Sequence, residues 1–333
     1  MLFHDDKKRK TSPGNFILLP TLGAVLLCLL TLALSQAAEP DKSLSFPAKA
    51  VKIMVPASAG GSLDKEARVL APFLEKQLKV SVHIENVTGA QGIIAYNKFS
   101  QEKPDGHTLL YFSPSSAVSF ELVRATSKYV VKNWTPVAAF TTKNFTLLHP
   151  GTWKTFADFL RDAKQKKVSM AGTGGSADIQ GRLLEDALGI KFSWVTYGSG
   201  TEGITAVAGK HVDVVLTNPV PALPMMKAGK LKALAVFSPT PDPFLPGVPT
   251  FKELGRDDVI CVLVRAVFAA PPGTPKEMVA VLEKAIGRAI VVPEAAKIFE
   301  NSAMTVDFKS SAELGKLILA DYEMLGKYRE FIK

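Results

Sequence analysis

The sequence predicts an α/β protein with mostly parallel sheets, divided into two lobes. Three observations carry that prediction. From Phe46 onward, short runs rich in β-branched residues alternate with segments of helical periodicity. Three of the strand-to-helix connections are Gly/Ser turns, two in the first half of the chain and one in the second. A chain of 333 residues with 47% hydrophobic content is also long enough for two domains of ordinary size.

The N-terminus reads as an export signal. Lys7, Lys8, Arg9 and Lys10 precede an uncharged apolar run from Phe16 to Leu34, and Ser35-Gln36-Ala37 supplies the small residues of a cleavage site. Residues 1–37 therefore have the layout of a signal peptide removed after Ala37, with the periplasm as destination. The apolar run approaches bilayer-spanning length, so an uncleaved anchor is the alternative, weakened by Pro20 and Gly23. Cys28 lies between leucines and lacks the small preceding residue that lipid attachment requires. Export leaves Cys261 as the only cysteine, so no internal disulfide is available and the fold must rest on its core. Cys261 sits in the apolar run Val259–Val264 and reads as a small buried hydrophobe.

Strands are expected at Val51–Val55, Val80–Ile84, Thr108–Phe112, Val168–Ala171, Val212–Leu216 and Leu231–Phe237. The first helix is legible from Leu63, Ala67, Leu70, Leu74 and Leu78, which recur on one face. Ser62 is its expected N-cap, Asp64 and Glu66 lie in its first turn, and Pro72 is expected to kink it. Ser238–Val248 reads as a surface loop, with Pro249-Thr250 opening a short helix. From Pro275 to Lys333 three helical stretches are expected, broken near Val292-Pro293 and Lys309-Ser310. There is no internal repeat.

The residues argue against catalysis. His4, His83, His107, His149 and His211 show no metal-ligand spacing, and neither a G-x-S-x-G elbow nor a phosphate-binding G-x-x-x-x-G-K-[ST] loop occurs. Gly172-Thr173-Gly174 begins like a dinucleotide fingerprint, but Ala177 stands where the third glycine belongs and no acidic residue ends a following strand at the usual offset. Asp64, Asp105 and Asp213 read as caps, turn residues or surface residues. No catalytic residue, metal site or cofactor is expected. The formal charge of +9 becomes +7 once the first 38 residues, with four basic and two acidic side chains, are removed. That excess is spread along the chain without basic blocks, which excludes nucleic acid as a partner and leaves a mild bias towards anions.

Binding is better supported. Glycine turns that lead into helices expose unpaired backbone N–H groups at the positive end of the helix dipole, and a carboxylate can accept them. In open α/β sheets such turns lie at the carboxyl ends of the strands, where ligands bind. The three turns are Pro56–Ser62, Glu85–Gly92 and Gly172–Ser176. None contains Lys or Arg. The alternative is that their glycines only permit tight connections.

The ordered set of motifs resembles the Bug-type receptors of the tripartite tricarboxylate transporter family. It comprises Val55-Pro56-Ala57-Ser58-Ala59-Gly60-Gly61-Ser62-Leu63-Asp64, Gly89-Ala90-Gln91-Gly92, Lys103-Pro104-Asp105-Gly106-His107, Lys227-Ala228-Gly229-Lys230-Leu231 and Phe268-Ala269-Ala270-Pro271-Pro272-Gly273. The resemblance implies a two-lobed, type II periplasmic-binding-protein (Venus flytrap) fold with inter-lobe crossings near Pro136–Thr142 and Arg265–Pro271. Lobe 1 would comprise 46–138 and 268–333, and lobe 2 139–267. It implies a monomeric receptor that delivers a small organic acid to integral-membrane permease subunits; delivery to a periplasmic sensor domain is the alternative. Carried over by position, the ligand-binding residues are Ser58, Ala59, Gly60, Gly61, Ser62, Gly89, Ala90, Gln91, Gly92, Thr173, Gly174, Gly175, Ser176, Asp178, Tyr197 and Asn218. Four positions depart from the family pattern. Val87-Thr88 stands for Arg-Pro, Gln91 for a glycine, Asp178 for a frequent His and Thr217 for a frequent acid. Asp178 either caps its helix or faces the cleft; in the second case it would disfavour polyanions and favour amine-bearing or neutral-tailed acids.

Overall fold

The computed structural model describes residues 46–332 apart from Leu263. The expected signal peptide, residues 1–37, lies outside the described residues. Among the described residues eleven strands form two sheets. They are β1 (Val51–Val55), β2 (Val82–Asn86), β3 (Thr108–Phe112), β4 (Thr135–Lys143), β5 (Phe145–His149), β6 (Ser169–Gly172), β7 (Ser193–Thr196), β8 (Val214–Thr217), β9 (Lys232–Phe237), β10 (Val264–Ala270) and β11 (Thr305–Lys309). The first sheet has the order β11-β4-β10-β3-β1-β2, the second β7-β6-β8-β5-β9. Between the sheets the chain passes twice, from β4 to β5 through Asn144 and back from β9 to β10. These are the two expected crossings, and the architecture is the two-lobed binding-protein fold.

The expectation of mostly parallel sheets is corrected. The pairs β1–β2, β1–β3, β6–β7 and β6–β8 are parallel, whereas β10–β3, β10–β4, β11–β4, β5–β8 and β5–β9 are antiparallel. The crossings account for the difference: every antiparallel pair contains β4, β5 or β10, the strands that carry the chain between the sheets. Most strands appear close to their expected positions, with β2 displaced by two residues towards Asn86. The strands β4, β5, β7, β10 and β11 were not among the expected six.

Helix Ser62–Leu78 buries Ala67, Leu70, Phe73, Leu74 and Leu78 against the first sheet and contains Pro72. Its N-cap is Gly61 rather than Ser62, with no side-chain cap. Lys79 ends it in a left-handed conformation, φ 58°. The tail forms helices Lys276–Ile290, Pro293–Asn301 and Ser311–Lys327, followed by a short turn of helix at Arg329–Ile332. Pro293 occupies the first turn of the second, and a Ser310/Glu313 capping box starts the third. Helix Lys276–Ile290 packs on helix Ser62–Leu78, and β11 pairs with β4, so the tail returns to the first lobe. The short helix expected at Pro249-Thr250 does not form; the chain makes turns there, pinned by Thr250 hydroxyl and amide bonds to Glu253. One hydrophobic core lies between the first sheet and the helices on one face; another runs from Met54 and Phe112 to Leu216 and Phe237, joining the lobes. Among the described residues no helix is long and apolar enough to cross a membrane.

Candidate functional site

The three glycine turns converge on one cleft of about 1030 Å³ between the sheets. Residues 58–62, 89–92 and 173–176 all line it, as do Tyr197 and Asn218. Asp178 is the one expected site residue that is not on the cleft wall.

The first turn is clamped from behind. Gly60, at φ +81°, donates its amide to Asp64 Oδ2 at 2.8 Å, and the Gly61 amide donates to the Ser58 carbonyl at 3.2 Å. Asn86, at the end of β2, donates its side-chain amide to Asp64 Oδ1 (2.9 Å) and to the Ala57 carbonyl (3.0 Å). Burial alone would raise the Asp64 carboxyl, but hydrogen bonds from Arg68, Gly60 and Asn86, with the Arg68 charge, hold it below the usual carboxylate range. Asp64 is thus the buried clasp of the turn. The amides of Gly60 and Gly61 are already committed, so the donors left open here include the amides of Ala59, Ser62 and Leu63, which have no partner among the described residues. Two of these belong to the first turn of a 17-residue helix, where the dipole adds positive potential.

The second turn is a run of left-handed backbone: Gly89 φ +114°, Ala90 +47°, Gln91 +58° and Gly92 +100°. This conformation explains why glycine suits position 91, since a side chain there costs about 1–2 kcal/mol. Gly92 is fixed for a second reason, because a Cβ would lie 3.1 Å from Pro56 Cβ and 3.2 Å from its carbonyl oxygen. The Gln91 side chain extends from this turn to the opposite lobe. A Cβ on Gly174 would stand 2.3 Å from its Nε2.

In the third turn Asp178 Oδ1 accepts the amides of Thr173 (2.9 Å) and Gly174 (3.0 Å). Burial raises its carboxyl above the ordinary value, and those two bonds with the Arg182 and Arg124 charges offset only part of the rise. The geometry therefore favours the capping alternative. The preference for amine-bearing or neutral-tailed acids, which required a cleft-facing carboxylate, loses its basis. Ser116, on helix Pro114–Val123 of the first lobe, reaches the same turn, with its Oγ 3.1 Å from Ser176 Oγ. Asn218 Oδ1 accepts the Val220 amide at 2.8 Å, and Tyr197 both lines the cleft and packs against a hydrophobic cluster in the second lobe that includes Leu148, Ile204, Val207 and Val215.

Lys143 and Arg265, from the crossing strands β4 and β10, also line the cleft and were missed. Their role was not readable locally, because neither lies in a turn and each acquires its surroundings through strand pairing. Ser113 and Ser116 were missed too, although β3 followed by Ser113-Pro114 is a fourth strand-to-helix connection that could have been read. Among the described residues no group of three or more His, Cys, Asp or Glu side chains is arranged to hold a metal ion.

The comparisons point in one direction. A family model described as tripartite tricarboxylate transporter family receptor matches residues 66–332. A UPF0065 protein from the TAR-I ttuE–ttuC′ intergenic region of Agrobacterium vitis is 30% identical over 295 residues, covering 85% of this chain and 84% of that protein. Protein BugT of Bordetella pertussis is 28% identical over 267 residues, 78% of this chain and 82% of its own length. The structure of MatC from Rhodopseudomonas palustris with bound malate superposes with a TM-score of 0.77 at 25% identity, covering 86% of this chain and 100% of that one.

Proposed function

Because the chain belongs to the tripartite tricarboxylate transporter receptor family, we propose that it captures a small organic carboxylate between its lobes and delivers it to membrane permease subunits of that transporter type. Receptors of this family are periplasmic solute-binding proteins and not enzymes. The single observation that carries the carboxylate reading is the set of open amides at Ala59, Ser62 and Leu63, at a helix N-terminus on the cleft wall. Malate in the related MatC supports the same ligand class.

In this reading the first-lobe amides take one carboxylate, the wall of residues 173–176, Tyr197 and Asn218 closes over the other end, and closure expels water. The moving bodies are residues 46–138 with 268–333 against 139–267, hinged in β4 and β10, after removal of a signal peptide at Ala37. Each charge-assisted amide bond contributes roughly 1.5–3 kcal/mol, and micromolar affinity needs about 8 kcal/mol, so three donors and a closed cleft suffice.

The test is a thermal-shift screen of protein recovered from the periplasm against three- to six-carbon mono-, di- and tricarboxylates. A ligand at 100 times its dissociation constant adds about 2.7 kcal/mol and should raise the melting temperature by several degrees. A flat response from folded protein across the whole series would overturn the carboxylate reading.

A further inference from the structure

The cleft wall carries two cations and one exposed carboxylate, and their pairing is unequal. Lys143 is an internal charge. It forms an ion pair with buried Glu66 and donates to Ser62 Oγ at 2.8 Å. Glu66 in turn accepts the hydroxyls of Tyr111 (2.6 Å) and Thr141 (2.8 Å), so this network is complete without a ligand. Glu202 receives the Gly198 amide at 3.0 Å and stands exposed at the edge of the second lobe. Arg265 differs from both. Among the described residues its side chain has no ion pair and no hydrogen bond, and its Nε–H is buried without an acceptor. Asp321 is close enough for its carboxyl to feel the Arg265 charge, yet the two do not meet as an ion pair. A buried donor left unmade is costly, and a guanidinium is shaped to take a carboxylate through two parallel N–H bonds.

Its position relative to the first turn matters as much. Lys143 bonds Ser62 and stands opposite Val264 in the β4–β10 pair, while Arg265 is the next residue, opposite Thr142. Arg265 therefore sits one strand position from the residue that touches the turn with the open amides, but on the other face of the ribbon. Both Arg265 and the residues that carry the open amides line the same cleft, so a second group of a ligand held by those amides can meet Arg265.

On the reading of the cleft as a carboxylate site, we infer that Arg265 is a specificity-determining residue that receives a second anionic group, so that the cleft selects small diacids over monoacids of equal length. Two separate anion-favouring positions in one cleft recognise two negative groups, and the monoacid leaves the Arg265 donor unmade.

The experiment is isothermal titration of protein recovered from the periplasm after expression of the full chain. The probes are malate, succinate and adipate, set against butyrate and hexanoate as the monoacid counterparts. Wild type should prefer the diacid of a pair by about 10- to 100-fold, and Arg265→Gln should remove that preference while leaving monoacid affinity within about twofold. If Arg265→Gln does not fold, Arg265→Lys is read instead; it keeps the charge but not the fork, and should lower only diacid affinity. Binding of diacids and monoacids by wild type with equal affinity, or equal losses for both in the variants, would overturn the Arg265 assignment while leaving the carboxylate reading intact. Failure of wild type to bind any probe would overturn the Arg265 assignment and, together with a flat thermal-shift response across the whole carboxylate series, the carboxylate reading too.

Discussion

Asp178 Oδ1 accepts the Gly174 amide at 3.0 Å, which turns a potential cleft carboxylate into the clasp of its own turn. The first lobe repeats the device, with Asp64 Oδ2 accepting the Gly60 amide at 2.8 Å. In both turns the acid stands four residues after the glycine whose amide it takes, on the helix that the turn begins. Each lobe thus presents a cleft surface whose shape is fixed by a carboxylate kept away from the ligand.

That arrangement predicts the behaviour of Asp178→Ala. Loss of two charge-assisted bonds, to Thr173 and Gly174, should lower stability by about 2–4 kcal/mol, measured by urea unfolding. Affinities for diacids and monoacids should fall together, because the third turn loosens without any change of charge on the cleft wall. A selective gain of diacid binding would show instead that the carboxylate faces the ligand.

Gln91 and Gly174 should be energetically coupled across the cleft. A Cβ at Gly174 meets two separate obstacles: the left-handed φ of +83°, and Gln91 Nε2 at 2.3 Å. The first costs about 1–2 kcal/mol whatever the neighbour, while the second falls on the far end of a flexible side chain and can be relieved. Gly174→Ala should therefore destabilise more in the native background than in Gln91→Gly, with a coupling of about 0.5 kcal/mol or more in a double-mutant cycle. Additive effects would mean that the two residues do not share that space.

These particulars mark the limit of what was legible from the chain. Gly60 and Gly174 could be read as turn residues because positive φ favours glycine wherever it occurs. Ala90 and Gln91 adopt the same conformation without announcing it, since their φ values are imposed by the turn around them. Helix Ser62–Leu78 was visible through its periodic buried face, but its true clasp, Asp64 with Asn86, joins two elements through a contact that no local pattern encodes. The crossing strands came from family resemblance, not periodicity, because every residue of β10 from Ala266 onward is buried and alternation disappears. The isolation of Arg265 depends on which acids the fold fails to bring to it, and that can be judged only once the strands are paired.

Asp321 supplies the last prediction, in the pH dependence of stability. It is buried on helix Ser311–Lys327, and burial pushes its carboxyl up to about 7, with the Arg265 charge opposing the rise only in part. In the unfolded chain the same group releases its proton near 4. Between those values the native state holds a proton that the unfolded state has lost, so this residue's contribution to stability falls as pH rises through the window and stays low above it. The effect should approach 1.4 kcal/mol per pH unit in mid-window. Asp321→Asn keeps the shape and removes the ionisation. The difference in urea-unfolding free energy, variant minus wild type, should therefore grow between pH 4 and pH 7 and level off above. Curves that run parallel from pH 4 to pH 8 would mean that Asp321 ionises at its ordinary value and that Arg265 already compensates its charge in the folded protein.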